Sequence, residues 1–578
     1  MAEREDRNGL QAECAAAVAA LGAQDALGRS VKPAARLRTD RQVGLFYFLW
    51  IGQHGSARCD NTVLSLDEQK YDESTVNVHH YWDEPLFGYY NSEDAWVFRR
   101  HMEMLISAGV DYLVFDTTNG YIYENVCRKI FPVALEMIAR GWKVPGFVFD
   151  TNHDSCGTVQ KIYDAFFDPA NPDSARYAPL WYRNEDWGGR NRERKPWIIA
   201  KNNNEGENAG QNYSRLPQAV QDCFYLRESA WFREREVPYA FATDIDDPAV
   251  HEGMLSVSVA QHTSGAFSDS VFEAGGRDVN RGRGWSRKDG TNRTDRCARG
   301  QNFQEEWERA FSEGEKVSNV FLSTWNEWVA QKQPVGLYGR STCYFVDQYD
   351  PEFSRDIEPV RNEYGDNYYM QMAENIRRFK AEGETPPLPL GKIDISRPGL
   401  GWENARTFRC FAGDTAPRDC RSADAAAPPY RNDSGRNDIV AVTAACSEEF
   451  LYVAVECAAP VTAAQEGDPS WMNVFVGKEG GAWNGLDFVV NRLGPGTLCR
   501  LGADGRAECV SRVGFVREGC LLKLELPRAL LGIADGCEVR VKAADHVRDP
   551  QNVLDYYQYG DSAPVGRFYY AFRIGGKR

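Results

Sequence analysis

The chain predicts an α/β domain of the (β/α)8 TIM barrel class, followed by an all-β region folded as an antiparallel β-sandwich. Three observations predict it. From residue 43 to about 380, apolar strand-like runs alternate with segments of helical periodicity roughly eight times, which is the pattern of a parallel barrel. Polar residues gather just after those apolar runs, where the strand ends of a barrel converge on one rim. Past a Pro-rich linker the texture changes to short alternating strands between Gly, Pro and Asp turns. The length agrees, since 578 residues exceed what one compact core organises.

The elements follow in order. Met1-Ala-Glu-Arg-Glu-Asp-Arg carries both signs, and the Ala-rich run after it is broken by Glu13 with no clean cleavage site, so no signal peptide is read. A full-length chain is then expected in the cytoplasm, and a trimmed one outside it, secreted or periplasmic. Leu10, Cys14, Val18 and Leu21 fall at helical spacing and predict a helical N-terminal extension over residues 1–42. The barrel is assigned to 43–383. Its first strand is Val43 to Trp50, its second Val110 to Asp116 and its third Val144 to Asp150. Trp197 to Ala200, Cys223 to Leu226 and Tyr239 to Thr243 are the fourth to sixth, with the sixth the weakest pattern. Leu255 to Ala260 and Val320 to Thr324 are the seventh and eighth. Helices are expected over Glu93 to Ala108, stopped by Gly109, over Asn125 to Arg140, stopped by Gly141, and from a cap at Asp366 through Phe379. Glu384-Thr-Pro-Pro-Leu-Pro-Leu390 opens the linker, residues 384–392, and 393–578 form the sandwich.

The most pointed stretch is Val320-Phe-Leu-Ser-Thr-Trp-Asn-Glu-Trp328. An apolar run ends abruptly in Trp325, Asn326, Glu327 and Trp328. Trp offers a flat apolar face to a sugar ring, and Glu offers proton transfer. Polar residues recur after the other runs: Asp116, Asp150 with Asn152 and His153, Glu228, and His262. Each alone is as readily a cap or a turn residue; their recurrence is what a rim explains. Two long connections stand out. His79 to Tyr90 is dense in aromatics and includes Trp82 and Glu84, while 275–300, rich in Arg, Gly and Asp, is expected to be a solvated excursion or lid.

The bulk numbers bound the rest. A net charge of −16 argues against nucleic acid or an anionic membrane as partner. No apolar run approaches the roughly 20 residues that span a bilayer. Aromatics at 12% fit carbohydrate contact. The 15 cysteines are odd in number and scattered without Cys-x-x-Cys spacing, so no zinc site is expected and reduced thiols are. Cys499 and Cys509 flank a hairpin-like turn and are placed to pair in an oxidising compartment.

At Trp325-Asn-Glu-Trp328 the chain resembles the (β/α)8 glycoside hydrolases of family 99 and their relatives, in which this segment closes the barrel and its Glu is a catalytic carboxylate. The resemblance implies that role for Glu327. The family's second catalytic Glu, three residues on, is here Ala330, followed by Gln331. Residues 41 to 380 also resemble a group of barrel proteins from carbohydrate-degrading bacteria that carry Trp-Asp-Glu-Pro, Val-Ala-Gln-His and Trp-Asn-Glu-Trp-Val-Ala-Gln segments. Leu451-Tyr-Val-Ala-Val, Trp471 and Trp483-Asn-Gly-Leu-Asp-Phe resemble family 9 carbohydrate-binding sandwiches. That likeness implies a structural calcium in the C-terminal domain, which binds sugar or braces the barrel.

The expected function is hydrolysis of a glycosidic bond in a poly- or oligosaccharide or glycoconjugate. Such chemistry takes two carboxyl groups and no cofactor or catalytic metal. Glu327 is one, and Asp116, Asp150, Glu228 and Glu84 are candidates for the other, in that order. Trp50, Trp82, Trp325 and Trp328 would stack on sugar, and Asn152, His153, His262, Asn326 and Gln331 would bind hydroxyls. The alternatives are a catalytically silent glycan-binding protein, and a lyase using the arginines of 277–299 to bind a uronic acid.

Overall fold

Seven of the apolar runs form one parallel sheet. Its strands are β1 (Gln42–Tyr47), β2 (Tyr112–Asp116), β3 (Gly146–Asp150), β4 (Trp197–Ile199), β5 (Tyr225–Arg227), β6 (Met254–Val257) and β7 (Asn319–Leu322). They lie in the order β5-β4-β3-β2-β1-β7-β6, every neighbour parallel. This structure is a computed structural model that describes residues 2–55, 58–202, 212–228, 250–263, 265–272, 276–397 and 401–575. The expected sixth strand, 239–243, lies outside the described residues.

Period-2 alternation sorts each strand into two faces. Leu45, Tyr47, Leu113, Phe115, Phe147 and Phe149 join the large core shared with the helices. Phe46, Tyr112, Val114, Val148, Trp197, Ile199, Met254 and Phe321 form a separate buried cluster on the other face. That cluster unites Trp197 of β4 with Met254 of β6, which only a curled sheet permits. The sheet is therefore a curled half-barrel, with its concave face filled by aromatic side chains.

The helices pack on the convex face for reasons visible in their caps. α1 (Ala2–Ala19) precedes the sheet. In α2 (Ala95–Ala108) the Asp94 carboxylate accepts from the Trp96 and Val97 amides, and Gly109 ends the helix at φ 90°, a conformation that favours glycine. α3 (Glu124–Ala139), α4 (Gln301–Ser312) and α5 (Asn367–Lys380) follow. Asp366 was expected to cap α5, but it makes no capping bond. It accepts instead from Arg567 Nε, at 2.7 and 2.9 Å, and from Tyr557 Oη at 2.8 Å, because a buried arginine from the C-terminal region demands a carboxylate there.

The N-terminal extension is helical only to Ala19. Leu21–Gln24 and Ser30–Val31 are strands, and the first of them pairs with Tyr569 and Tyr570 at the far end of the chain. The reason is burial: Leu21 and Ala23 are closed off in the core. Residues 401–575 form antiparallel sheets, of which the larger two have nine strands, including those two N-terminal ones, and five. Trp471 and Trp483 are buried within this region, the latter stacked on Phe475 at 5.7 Å. All 15 cysteines are free thiols, and Cys499 and Cys509 sit opposite one another in register without a bond.

The Arg-rich connection is not a solvated lid among its described residues. Arg283 is 1% exposed. Its guanidinium donates to Ser354 Oγ at 3.0 Å and to the Asp356 carbonyl at 2.8 Å, and lies over the Tyr368 ring. Gly284 passes so close to Arg293 that a Cβ would lie 2.0 Å from its carbonyl oxygen. Packed side chains and satisfied backbone hold this segment against the wall of the site.

Candidate active site

The carboxyl ends of β7, β1 and β2 and the loop after β7 meet at one place. Asn326 locks the end of β7 to β1: its Oδ1 accepts from the Phe48 amide at 2.8 Å, and its amide donates to the Phe48 carbonyl and the Tyr90 hydroxyl, each at 3.2 Å. Glu327 follows, 3% exposed. Its backbone amide donates to Asp356, whose other carboxylate oxygen accepts from Trp82 Nε1 at 2.7 Å. The Glu327 Oε2 accepts from Gln348 Nε2 at 2.7 Å and from Arg355 Nη2 at 2.8 Å. Gln348 Oε1 accepts in turn from the Arg355 amide at 2.9 Å, so both donors are themselves fixed.

Burial pushes the Glu327 carboxyl well above the usual range; Arg355 pulls it back, while Asp347 and Asp356 push it further up. Asp347 is the link to β2. Burial raises its own pKa against the pull of Arg355, and its charge also raises Asp116 at the tip of β2, where burial is the larger cause. Asp116 Oδ1 accepts from the Thr118 amide at 3.0 Å and from Thr118 Oγ1 at 2.6 Å. Asp116 in turn raises Tyr123, again after burial. Glu327, Asp347 and Asp116 thus form one electrostatically linked set. Asp347 is half-buried by its surface exposure, so one side of the set faces open space.

Aromatic side chains flank it. Tyr123 Oη and His54 Nε2 are hydrogen-bonded at 2.8 Å. His54 packs edge-on to Tyr121 at 5.1 Å, and Trp50 edge-on to His79 at 5.0 Å. Trp50 is half-buried and its Nε1 has no hydrogen-bond partner among the described residues. Tyr121 is 58% exposed. His262 lies beside Phe267, rings stacked at 4.0 Å, and Phe267 also lies beneath the Arg355 guanidinium at 5.5 Å.

The other expected residues scatter. Trp325, Trp328 and Trp82 are fully buried. Trp82 and Trp328 stack on one another at 4.6 Å, and Trp328 Nε1 donates to Glu358 at 2.6 Å. These indoles pack behind Glu327 rather than presenting a face to open space. Asp150 is buried at the tip of β3. Asn152 is half-buried, with Oδ1 lacking a partner among the described residues, and His153 is exposed. Glu228 is exposed beyond β5. Glu84 is paired with Arg361 at 2.9 Å, and Gln331 donates to Asn77 at 3.0 Å. Sequence reasoning passed over Asp347 as a site residue; the one available signal was its place in the polar loop after β7. A groove of about 740 Å³ lies elsewhere, between residues 30–33 and Lys478, Arg540 and Tyr569, with no comparable gathering of raised carboxyls.

No family model matches the chain, and no curated protein matches it. Two solved structures of the GH99 endo-alpha-mannosidase from Bacteroides thetaiotaomicron are similar to it. One, in complex with BIS-TRIS-propane, has a TM-score of 0.30 and 16% identity and covers 59% of this chain and 98% of that one. The other has a TM-score of 0.27 and 17% identity, with the same coverage. Likenesses this weak carry no argument about fold or function, which rest on the chain's own geometry.

Proposed function

We propose that the chain is a glycosidase that binds a carbohydrate at this rim, with Glu327 as the proton donor. The observation that carries the reading is the set Glu327, Asp347 and Asp116, three carboxyl groups that are all raised. Like charges so placed do not all ionise together, so the set holds on to protons above the usual carboxylate range. Glycoside hydrolysis uses that division of labour: one carboxyl gives a proton to the leaving oxygen while another, ionised, acts on the anomeric carbon or on water. Glu327 has Oε2 tied to Gln348 and Arg355, which leaves Oε1 to carry the proton. Asp347, with its open side, is the ionised partner. Asp116, held by Thr118, keeps the charge of the set in place. Trp50 and Tyr121 offer the ring faces for sugar. On this reading the curled parallel sheet belongs to a (β/α)8 barrel, with the C-terminal sheets bracing it as a sandwich.

The lyase alternative relied on the arginines of 277–299. Arg277 is paired with Glu352, Arg287 with Glu306 at 2.7 Å, and Arg283 is buried in the wall, so that alternative has lost its main support. The test is turnover on a panel of aryl glycosides and glycans, with products read by mass spectrometry. Glu327→Gln and Asp347→Asn are each expected to lower turnover about 100- to 10,000-fold. Undiminished turnover in a folded Glu327→Gln protein would overturn the assignment. Binding without cleavage in the wild type would instead make the chain a glycan-recognition protein.

A further inference from the structure

A second acidic group lies where α2 meets the C-terminal region. Asp414, Asp438 and Asp561 each bring one carboxylate oxygen to within 4.8 Å of the others. Two oxygens on opposite sides of a calcium ion, each at about 2.4 Å, stand about 4.8 Å apart, so three oxygens no further apart than that can share one ion. The three come from separate segments. Asp414 lies beyond the strand Arg406–Arg409, Asp438 immediately precedes Ile439–Cys446, and Asp561 opens Asp561–Ala563.

Proximity of acids is not enough, and two further observations point to a ligand. Asp414 is 3% exposed and Asp561 1%, and each has one carboxylate oxygen, Oδ1, with no hydrogen-bond partner among the described residues. Their other oxygens are engaged: Asp561 Oδ2 accepts from the Ile439 amide, and Asp414 Oδ2 lies 3.4 Å from Arg100 Nη1. The second observation comes from the barrel side. Glu103 of α2, 1% exposed, shares Arg100 Nη1 with Asp414, at 2.9 Å from its Oε2, and its Oε1 also lacks a partner among the described residues. Three orphaned carboxylate oxygens in one buried region are each costly unless something donates to them or a cation coordinates them. The cations at hand are fewer than the carboxyls. Arg100 serves Glu103 and Asp414 together, Arg99 acts on Asp414 while paired with Glu136, and buried Lys542 faces the charge of Asp561 while its ammonium donates to the carbonyls of Pro564 and Phe568. Asp438 has both oxygens on the Gly413 amide, at 3.0 Å each, which orients it without neutralising it.

We infer that Asp414, Asp438 and Asp561 hold one divalent cation of the hard, oxygen-seeking kind, calcium by preference, and that Glu103 of α2 faces it from the barrel side. An all-carboxylate donor set excludes the soft metals that favour thiolate or imidazole. A flexible group of carboxylates from three segments suits calcium better than magnesium, which demands a tight octahedron. The ion would tie the strands of the C-terminal region to one another and, through Glu103 and Arg100, to α2. This site is independent of the proposed glycosidase chemistry.

The full chain, stripped with EDTA and dialysed, is titrated with CaCl2, MgCl2 and MnCl2 by calorimetry and by thermal melting. One calcium per chain and a melting temperature raised by several degrees are expected. Asp561→Asn is expected to weaken calcium binding about 100-fold. Glu103→Gln, which keeps shape and hydrogen bonding, is expected to weaken it about 10-fold. No binding heat and no shift with any of the three ions in the stripped wild type overturns the proposal. Undiminished calcium binding in both variants places the ion elsewhere and overturns it equally. Should Asp561→Asn fail to fold, the wild-type titration and Glu103→Gln still decide.

Discussion

Asp111 and Asp116 flank the same strand, yet only one is free for chemistry. Burial would raise Asp111, but Lys380 at 2.5 Å and Lys143 at 2.8 Å outweigh it and hold the carboxyl below its usual range. Asp116 has no such cation among the described residues, and burial raises it. Glu327 has one, Arg355, and is raised all the same because its burial is complete and Asp347 and Asp356 are close. A prediction on activity follows. A proton donor must be protonated, so kcat/KM falls as pH rises through the pKa of Glu327. That alkaline limb should lie well above pH 4.5 in the wild type and vanish from the residual activity of Glu327→Gln. A limb near pH 4.5 would show that burial does not govern this carboxyl. A second prediction concerns stability. Burial raises Glu306 to about 7 despite Arg287 and Gln261. The folded value exceeds the unfolded one, so the stabilising protonated form is fully present below the unfolded pKa and its contribution is lost as pH rises through about 7. Glu306→Gln should flatten urea-unfolding stability between pH 5 and 7, by on the order of 2 kcal/mol relative to wild type. An unchanged slope would mean that Glu306 is ionised throughout.

At the scale of elements, the wall behind Glu327 is built from the loop after β7 and the 276–300 connection. Asp356 receives the Glu327 amide and Trp82 Nε1, and the Asp356 carbonyl receives Arg283. Arg283→Met should keep much of the packing but remove both hydrogen bonds. A stability loss of about 2–3 kcal/mol is expected, together with a fall in turnover larger than any change in KM, because the backbone under Glu327 loses its support. A rise in KM alone would instead make the connection a binding lid. This is also where the sequence was least legible. A run rich in Arg and Gly reads as solvated because its charges have no visible partners in the chain. Arg283 finds its partners at Ser354 and Asp356, 71 and 73 residues on, and Arg287 finds Glu306 in the helix that follows. The apolar strands, in contrast, declared themselves: β1, β2, β3 and β7 stand where their hydrophobic runs put them, and Gly109 ends α2 as its position foretold.

For the whole molecule, the two ends of the chain are one structure. Leu21 pairs with Tyr570, and Arg377 of α5 donates to the carbonyls of Ala19 and Leu21. Asp366 at the start of α5 meets Arg567 and Tyr557. Asp366→Ala would leave Arg567, 7% exposed, without its counter-charge, at a cost of about 3–5 kcal/mol in urea unfolding. Loss under 1 kcal/mol would mean that water reaches the guanidinium. Deletion of residues 1–34 should likewise lower the melting temperature of the C-terminal sheets, since it strips two strands from the nine-stranded sheet. No helix among the described residues is long and apolar enough to cross a membrane.

The amino-acid order by itself determined the alternation of strand and helix, the helix stops, the change of texture past the Pro-rich linker, and Glu327 as the residue to watch. These are local properties: hydrophobic period, glycine conformation and turn chemistry act over a few residues. The tertiary structure alone decided which neighbours each group has. It turned Trp82, Trp325 and Trp328 inward, set Asp347 between Glu327 and Asp116, folded the arginine-rich connection into the wall, and drew the first strands of the chain to the last. Desolvation, charge pairing and packing are sums over groups distant in sequence, so they come into being only when the chain closes on itself.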